Sequence, residues 1–259
     1  MYVDNIGIIN AKGRFKEQNE DYHLVVKNTL NNDKTSYFAC IADGMGGYDN
    51  ANVASHFVID SLENWWKNYL SNHTNVDHLI NELDSELSKE ISKLNHELIE
   101  KGKLEELKYG TTLSILIIIE NVYFVYHVGD GRVYRYDSNL KFEKGTIPLD
   151  EKNGLTQLTL DHTISNLSQY PNANTGTLTQ CIGVKGEVDV FQTFGTFNKN
   201  TFFILCTDGV YKSFEKSEFE QFFSSEKTAQ EIVDNVYNEI KDREFTDDIC
   251  LIIINDLID

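Results

Sequence analysis

An α+β architecture on antiparallel sheets, rather than a βαβ parallel one, is what this residue pattern calls for. Apolar runs of strand length come in groups, and segments of helical period come in blocks between them. The connections between neighbouring apolar runs are short enough for hairpins.

Ile6–Ile9 and Tyr22–Val26 read as short strands around a polar turn that carries Gly13 and Asn19-Glu20-Asp21. Tyr37–Ala42 is a third strand and stops at Asp43, where three glycines fall within four residues. From Asn50 the period changes. Val53, Phe57, Val58, Leu62, Trp65, Trp66 and Tyr69 recur at three and four, the mark of an amphipathic helix. Val76, Leu79, Leu83, Leu87, Ile91, Leu94 and Leu98 mark a second, longer one. Thr111–Ile119, Val122–Val128 and Val133–Tyr136 then read as strands joined by hairpin turns at Glu120-Asn121 and Gly129-Asp130-Gly131. A polar stretch runs from Asp137 to Leu178. Val188–Phe194 and Thr201–Cys206 are strands, Ser217–Phe223 and Thr228–Ile240 are helices, and Asp248–Ile254 closes as a buried strand.

At 259 residues, 41% apolar and with only Pro148 and Pro171, the chain reads as one domain over 1–259. Its net charge of −18 disfavours nucleic acid or an anionic membrane as a partner. The start, Met1-Tyr-Val-Asp-Asn-Ile, lacks a signal-peptide pattern, and no apolar run is long enough to span a membrane. Cys40, Cys181, Cys206 and Cys250 are far apart and form no CxxC pair, so buried free thiols in a reducing cytoplasm are expected.

The chemistry-bearing residues sit at strand ends. Glu20-Asp21 precedes Tyr22–Val26, Asp43-Gly44 ends Tyr37–Ala42, Asp208-Gly209 ends Thr201–Cys206, and Asp247-Asp248 opens the last strand. Asp130 lies between two glycines. Taken singly, each Asp-Gly is also an ordinary tight turn, and in so acidic a chain a carboxylate is often solvated surface. If these ends share one edge of a sandwich, however, their carboxylates converge, and cations must neutralise them. An all-oxygen donor set suits Mg²⁺ or Mn²⁺ rather than zinc. Two such ions about 3.5–4 Å apart can activate a water for in-line attack on phosphorus.

In chain order, Gly13 with Asn19-Glu20-Asp21, Asp43-Gly44-Met45-Gly46-Gly47, Gly110-Thr111-Thr112 and Val128-Gly129-Asp130-Gly131-Arg132 form a set. It continues through Leu158-Thr159-Leu160-Asp161-His162-Thr163, Leu178-Thr179-Gln180-Cys181-Ile182-Gly183, Cys206-Thr207-Asp208-Gly209-Val210 and Asp247-Asp248-Ile249. The set resembles the metal-dependent Ser/Thr protein phosphatases, the PPM or type 2C family, in its bacterial single-domain form. The resemblance implies a four-layer αββα sandwich, two antiparallel β-sheets flanked by helix pairs, with a short flap at about 161–178. It implies two Mn²⁺ or Mg²⁺ ions. Asp43 would bridge them, Asp208 and Asp247 would complete one site, and Glu20 with the Gly44 carbonyl would serve the other. Asp43, Asp208 and Asp247 are thereby the expected catalytic centre. Asp21 would act behind them as an acceptor, and Asp130 would face a third, looser site. The implied reaction is hydrolysis of phosphoserine and phosphothreonine by a hydroxide bridging the ions. The implied setting is a cytoplasmic monomer that acts on a phosphorylated protein and opposes a Ser/Thr kinase.

Three departures stand out. Lys16 occupies the place of a family arginine that grips phosphate, and an ammonium can hold phosphate only as a point charge. Lys212 stands where the family often has an aspartate serving the third ion, so that site is expected to be weak. The segment between His162 and Leu178 is short and polar, which puts substrate access in question. Met45 stands where some members place a histidine. The two lysines motivate an alternative reading, a catalytically weak or inactive phosphoprotein-binding module, although every core carboxylate is present.

Overall fold

A computed structural model describes residues 5–30, 34–45, 50–73, 75–137, 154–166, 176–198, 201–223, 227–243 and 245–255. Among the described residues, ten strands form two five-stranded sheets. The first holds β1 (Ile6–Ala11), β10 (Ile249–Ile254), β9 (Thr201–Cys206), β6 (Arg132–Asp137) and β7 (Leu155–Gln157), in that order. The second holds β2 (Asp21–Thr29), β3 (Thr35–Asp43), β4 (Leu113–Ile119), β5 (Val122–Val128) and β8 (Phe191–Thr196). Every pairing of neighbouring strands is antiparallel.

The apolar runs are continuous because the central strands are covered on both faces. In β3, Tyr37, Ala39 and Ile41 point into the layer between the sheets, whereas Phe38, Cys40 and Ala42 meet helices. In β10, Cys250, Ile252 and Ile254 line the inter-sheet core, and Ile249, Leu251 and Ile253 face the other way. This period-two alternation ties the register to burial, since a one-residue slip would swap the two sets.

α1 (Ala51–Asn72) and α2 (Val76–Glu105) cover the second sheet. α1 buries Ala54, Val58, Leu62, Trp66 and Tyr69, and α2 buries Leu79, Leu83, Leu87, Ile91, Leu94 and Leu98. Asn75 caps α2 by accepting from the Asp77 and His78 amides at 2.8 and 3.2 Å. The first sheet is covered by α5 (Ala229–Asp242), with the short helices α3 (Asp208–Tyr211) and α4 (Lys216–Glu220) beside it. Thr228 and Glu231 close a capping box at the start of α5. The result is the expected four layers, helix–sheet–sheet–helix. All four cysteines are buried and free.

Several expectations need correction. The Gly129-Asp130-Gly131 turn is not a hairpin: β5 belongs to one sheet and β6 to the other, so the turn carries the chain across the sandwich. Gly129, at φ +111°, takes a backbone shape that side chains disfavour. The run that begins at Val188 becomes a strand only at Phe191, because Val188 and Val190 pack onto the helical layer instead. The expected helix 217–223 is confined to Lys216–Glu220, and α3 was not anticipated. Gly46, Gly47 and the flap from 167 to 175 lie outside the described residues.

Trp66 locks the α1 layer. It is fully buried, stacks on Phe38 at 5.0 Å and donates from Nε1 to Asn28 Oδ1 at 3.0 Å. Trp66→Ala should cost about 3–5 kcal/mol, read as a lower urea midpoint.

Candidate metal centre and active site

The antiparallel order brings one end of many strands to a single edge. Asp21 opens β2 directly opposite Asp43, the last residue of β3. The Thr111-Thr112 segment leads into β4 at the same edge. Thr112 Oγ1 accepts from the Asp43 amide at 3.0 Å, and the Thr112 amide and Thr111 Oγ1 both donate to the Asp43 carbonyl at 2.9 Å. On the other sheet, Asp208 is the first residue of α3 after β9, and Asp247 and Asp248 lead into β10. The crossing turn adds Asp130 from between the sheets.

Two glycines permit this convergence by close packing. A Cβ on Gly44 would lie 2.3 Å from the Ala51 carbonyl oxygen, where α1 starts. A Cβ on Gly209 would lie 2.0 Å from the Asp248 carbonyl oxygen. Gly44 also donates its amide to the Glu20 carbonyl at 3.0 Å, which ties the Glu20 backbone to the end of β3.

Electrostatics register the crowding. Asp43 is surrounded by protein and open at its mouth. Burial pushes its carboxyl well above the usual range, reinforced by Asp21, Asp208, Asp247 and Asp130. Asp21, 2% exposed, is likewise raised by burial and by Asp248 and Asp208, despite a hydrogen bond from Thr207 Oγ1 at 2.7 Å. Burial and then Asp208 lift Asp130 to about 6. Asp21 Oδ1 and Asp208 Oδ1 are buried and have no hydrogen-bond partner among the described residues. Buried anionic oxygens without donors are costly, and hard divalent cations are what such a set accepts. The donors therefore fit Mg²⁺ or Mn²⁺. Among the described residues no three acidic, His or Cys side chains, as they stand, are grouped so that they could hold an ion. Two lysines hold several of the oxygens instead.

Lys16 Nζ lies 2.8 Å from Glu20 Oε2, 2.6 Å from Asp247 Oδ1 and 3.1 Å from Asp248 Oδ2. Lys212 Nζ lies 2.5 Å from Asp208 Oδ2. Burial opposes both ammonium charges. Asp247 and Glu20 outweigh it at Lys16, and Asp208 does so at Lys212, so both stay protonated above the ordinary lysine value. Lys16, expected to meet phosphate, here faces the acids.

Asp248 was not singled out from the sequence, although the Asp247-Asp248 pair was its signal. It is 1% exposed and accepts from the Gly13 amide at 2.7 Å and the Glu20 amide at 2.8 Å. It thus stitches the β1–β2 connection to the start of β10. Arg132 was quoted only as part of a motif. It forks onto Asp161, with Nη2 to Oδ2 at 2.7 Å and Nε to both oxygens at 3.1 Å, and stacks over Tyr211 at 3.6 Å. This clamps Asp161 to the strand that follows the Asp130 turn. His127 is buried and bonded through both ring nitrogens. Its Nε2 donates to the Gly129 carbonyl at 2.8 Å, so Nδ1 accepts from Ser114 Oγ at 2.9 Å. His162 Nδ1 accepts from the Gly129 amide at 3.2 Å.

Comparison with known proteins settles the family. The protein phosphatase 2C family matches residues 14–238. The chain belongs to that family. A serine/threonine phosphatase stp of Listeria welshimeri is 26% identical over 237 residues, covering 86% of this chain and 84% of its own length. The protein phosphatase PhpP of Streptococcus pneumoniae is 27% identical over 238 residues, covering 85% of each. Among solved structures, the serine/threonine phosphatase Stp1 of Staphylococcus aureus superposes with a TM-score of 0.77 at 19% identity, over 98% of this chain and 95% of that one. That last likeness concerns the fold alone. Membership places the chain among the protein-serine/threonine phosphatases, a metal-dependent class.

Asp248→Ala leaves two backbone amides without their acceptor and should cost about 2 kcal/mol or more in metal-free protein, measured by urea unfolding. His127 gives a pH signature. Burial lowers its folded value from 6.5 to about 3, so between these values the unfolded chain binds the extra proton. Its contribution therefore falls as pH drops from about 6.5 towards 3, at up to about 1.4 kcal/mol per unit. The stability difference between wild type and His127→Gln should narrow across that window.

Proposed function

We propose that the protein hydrolyses phosphoserine and phosphothreonine esters of protein substrates at the edge where Asp43 stands. The observation that carries this reading is Asp43 itself, half-buried, its carboxyl raised by desolvation and then by four further carboxylates, with Asp21 and Asp208 oxygens beside it that lack a partner among the described residues. Glu20, Asp43, the Gly44 carbonyl, Asp208 and Asp247 would hold two divalent ions, with Asp130 facing a third and weaker position. When bound, the ions supply Lewis-acid charge and activate a water for direct attack on phosphorus, so no phospho-enzyme forms.

The chain's own residues do the rest. Thr111 and Thr112 fix the backbone of Asp43 through three hydrogen bonds. Thr207 Oγ1 holds one Asp21 oxygen, and the other has no partner among the described residues. Asp248 holds the Glu20 backbone. Lys16 brings a positive charge to the mouth for the substrate phosphate, without the fork of an arginine. We read residues 1–259 as one phosphatase domain with its flap over 161–178, acting as a cytoplasmic monomer opposite a Ser/Thr kinase. A non-catalytic binding role finds no support in the site, which keeps every core carboxylate.

The test is hydrolysis of p-nitrophenyl phosphate and a phosphothreonine peptide with Mn²⁺, with Mg²⁺ and with EDTA. Turnover should need the ion and vanish in EDTA. Asp208→Asn should lower it by on the order of 10³-fold, consistent with losing several kcal/mol of charge stabilisation. Equal turnover in EDTA would overturn the reading.

A further inference from the structure

Lys16 is built into the acidic site more deeply than a solvated lysine. Its ammonium touches carboxylates from two distant segments, Glu20 at 2.8 Å on one side and Asp247 and Asp248 at 2.6 and 3.1 Å on the other. Its side chain is 26% exposed, against 54% for Lys212, whose ion pair among the described residues is with Asp208. Its backbone is anchored: the Lys16 amide donates to the Gly13 carbonyl at 3.2 Å, and Lys12 Nζ donates to the Lys16 carbonyl. Only the four-carbon stem is left to move.

We propose that Lys16 is a tethered cation that occupies a divalent-ion position, and that an ion binding Glu20 and Asp247 displaces the ammonium towards the mouth. This rests on the phosphatase reading above. The reasoning is electrostatic. Glu20 Oε2 and Asp247 Oδ1 are ligand atoms on that reading, and in this arrangement both are taken by one ammonium. A divalent ion cannot share them with a positive charge at contact distance, because the two cations repel each other strongly in a partly buried site. Asp248 does not depend on the lysine, since its oxygens already accept the Gly13 and Glu20 amides. The frame therefore persists when the ammonium leaves. A lysine suits the exchange because it is a compact charge on a flexible stem, whereas an arginine fork would be harder to withdraw. Metal loading and readiness for phosphate become one event: the ion that completes the site also frees the charge that meets the substrate.

The full-length protein tests this by Mn²⁺ calorimetry, comparing wild type with Lys16→Gln and Lys16→Ala, with Lys89→Gln on the outside of α2 as the control for net charge. The Lys16 variants should bind Mn²⁺ about 10-fold more tightly or better, and Lys89→Gln should stay within about twofold of wild type. In EDTA the Lys16 variants should melt below wild type, and they should gain more on adding the ion. In the wild type, an ammonium resonance of Lys16 Nζ should be protected in EDTA and lost or shifted at saturating Mg²⁺. Unchanged or weaker Mn²⁺ binding by both Lys16 variants, or an unmoved ammonium signal, overturns the proposal, and EDTA-sensitive turnover would then leave the phosphatase reading standing. No ion binding by any of these proteins overturns both.

Discussion

The crowding of carboxylates, partly desolvated and mutually repelling, at one end of the sandwich is the constraint around which this molecule is organised. Asp21, Asp43, Asp130, Asp208, Asp247 and Asp248 come from five separate points of the chain. Gathering like charges opposes folding, and burial together with the neighbouring carboxylates raises Asp21, Asp43 and Asp130. Such an arrangement persists only if the surrounding scaffold over-determines it. Three apolar layers do so: one between the sheets, one under α1 and α2, and one under α5.

Compensation within the site comes in graded forms. Thr207 gives Asp21 one hydrogen bond, and backbone amides satisfy Asp248 fully. Lys16 and Lys212 supply full charges to Glu20, Asp247 and Asp208. What is left over, at Asp21 Oδ1 and Asp208 Oδ1, marks where charge is still wanted. A site with fixed amides, movable ammoniums and a remainder of bare oxygens is suited to taking up ions reversibly. Asp161 and His162 are linked to the same edge by a second set of contacts, through Arg132 and the Gly129 turn.

Much of this was legible in the residue pattern. The unbroken apolar run Tyr37–Ala42 marked a strand covered on both faces, and the stripes of α1 and α2 marked helices because their burial repeats with the helical period. The carboxylates stood out because they recur at the ends of apolar runs. Asp248 was harder to see, since its role is to accept amides from residues more than 200 positions away. The crossing at Gly129 was misread because a short glycine-rich turn looks the same whether its strands pair or part.

By itself, then, the sequence determined the local periods, the order of the motifs and the chemistry of the donor set, all properties of neighbouring residues. The tertiary structure alone decided that β5 and β6 belong to different sheets, that Asp248 is a backbone anchor, and that Lys16 turns into the acids. Those outcomes depend on which distant segments meet, and packing of the three layers sets that. A lysine near an Asn-Glu-Asp could face phosphate, solvent or carboxylate; the approach of Asp247 and Asp248 from the far end of the chain selects the last.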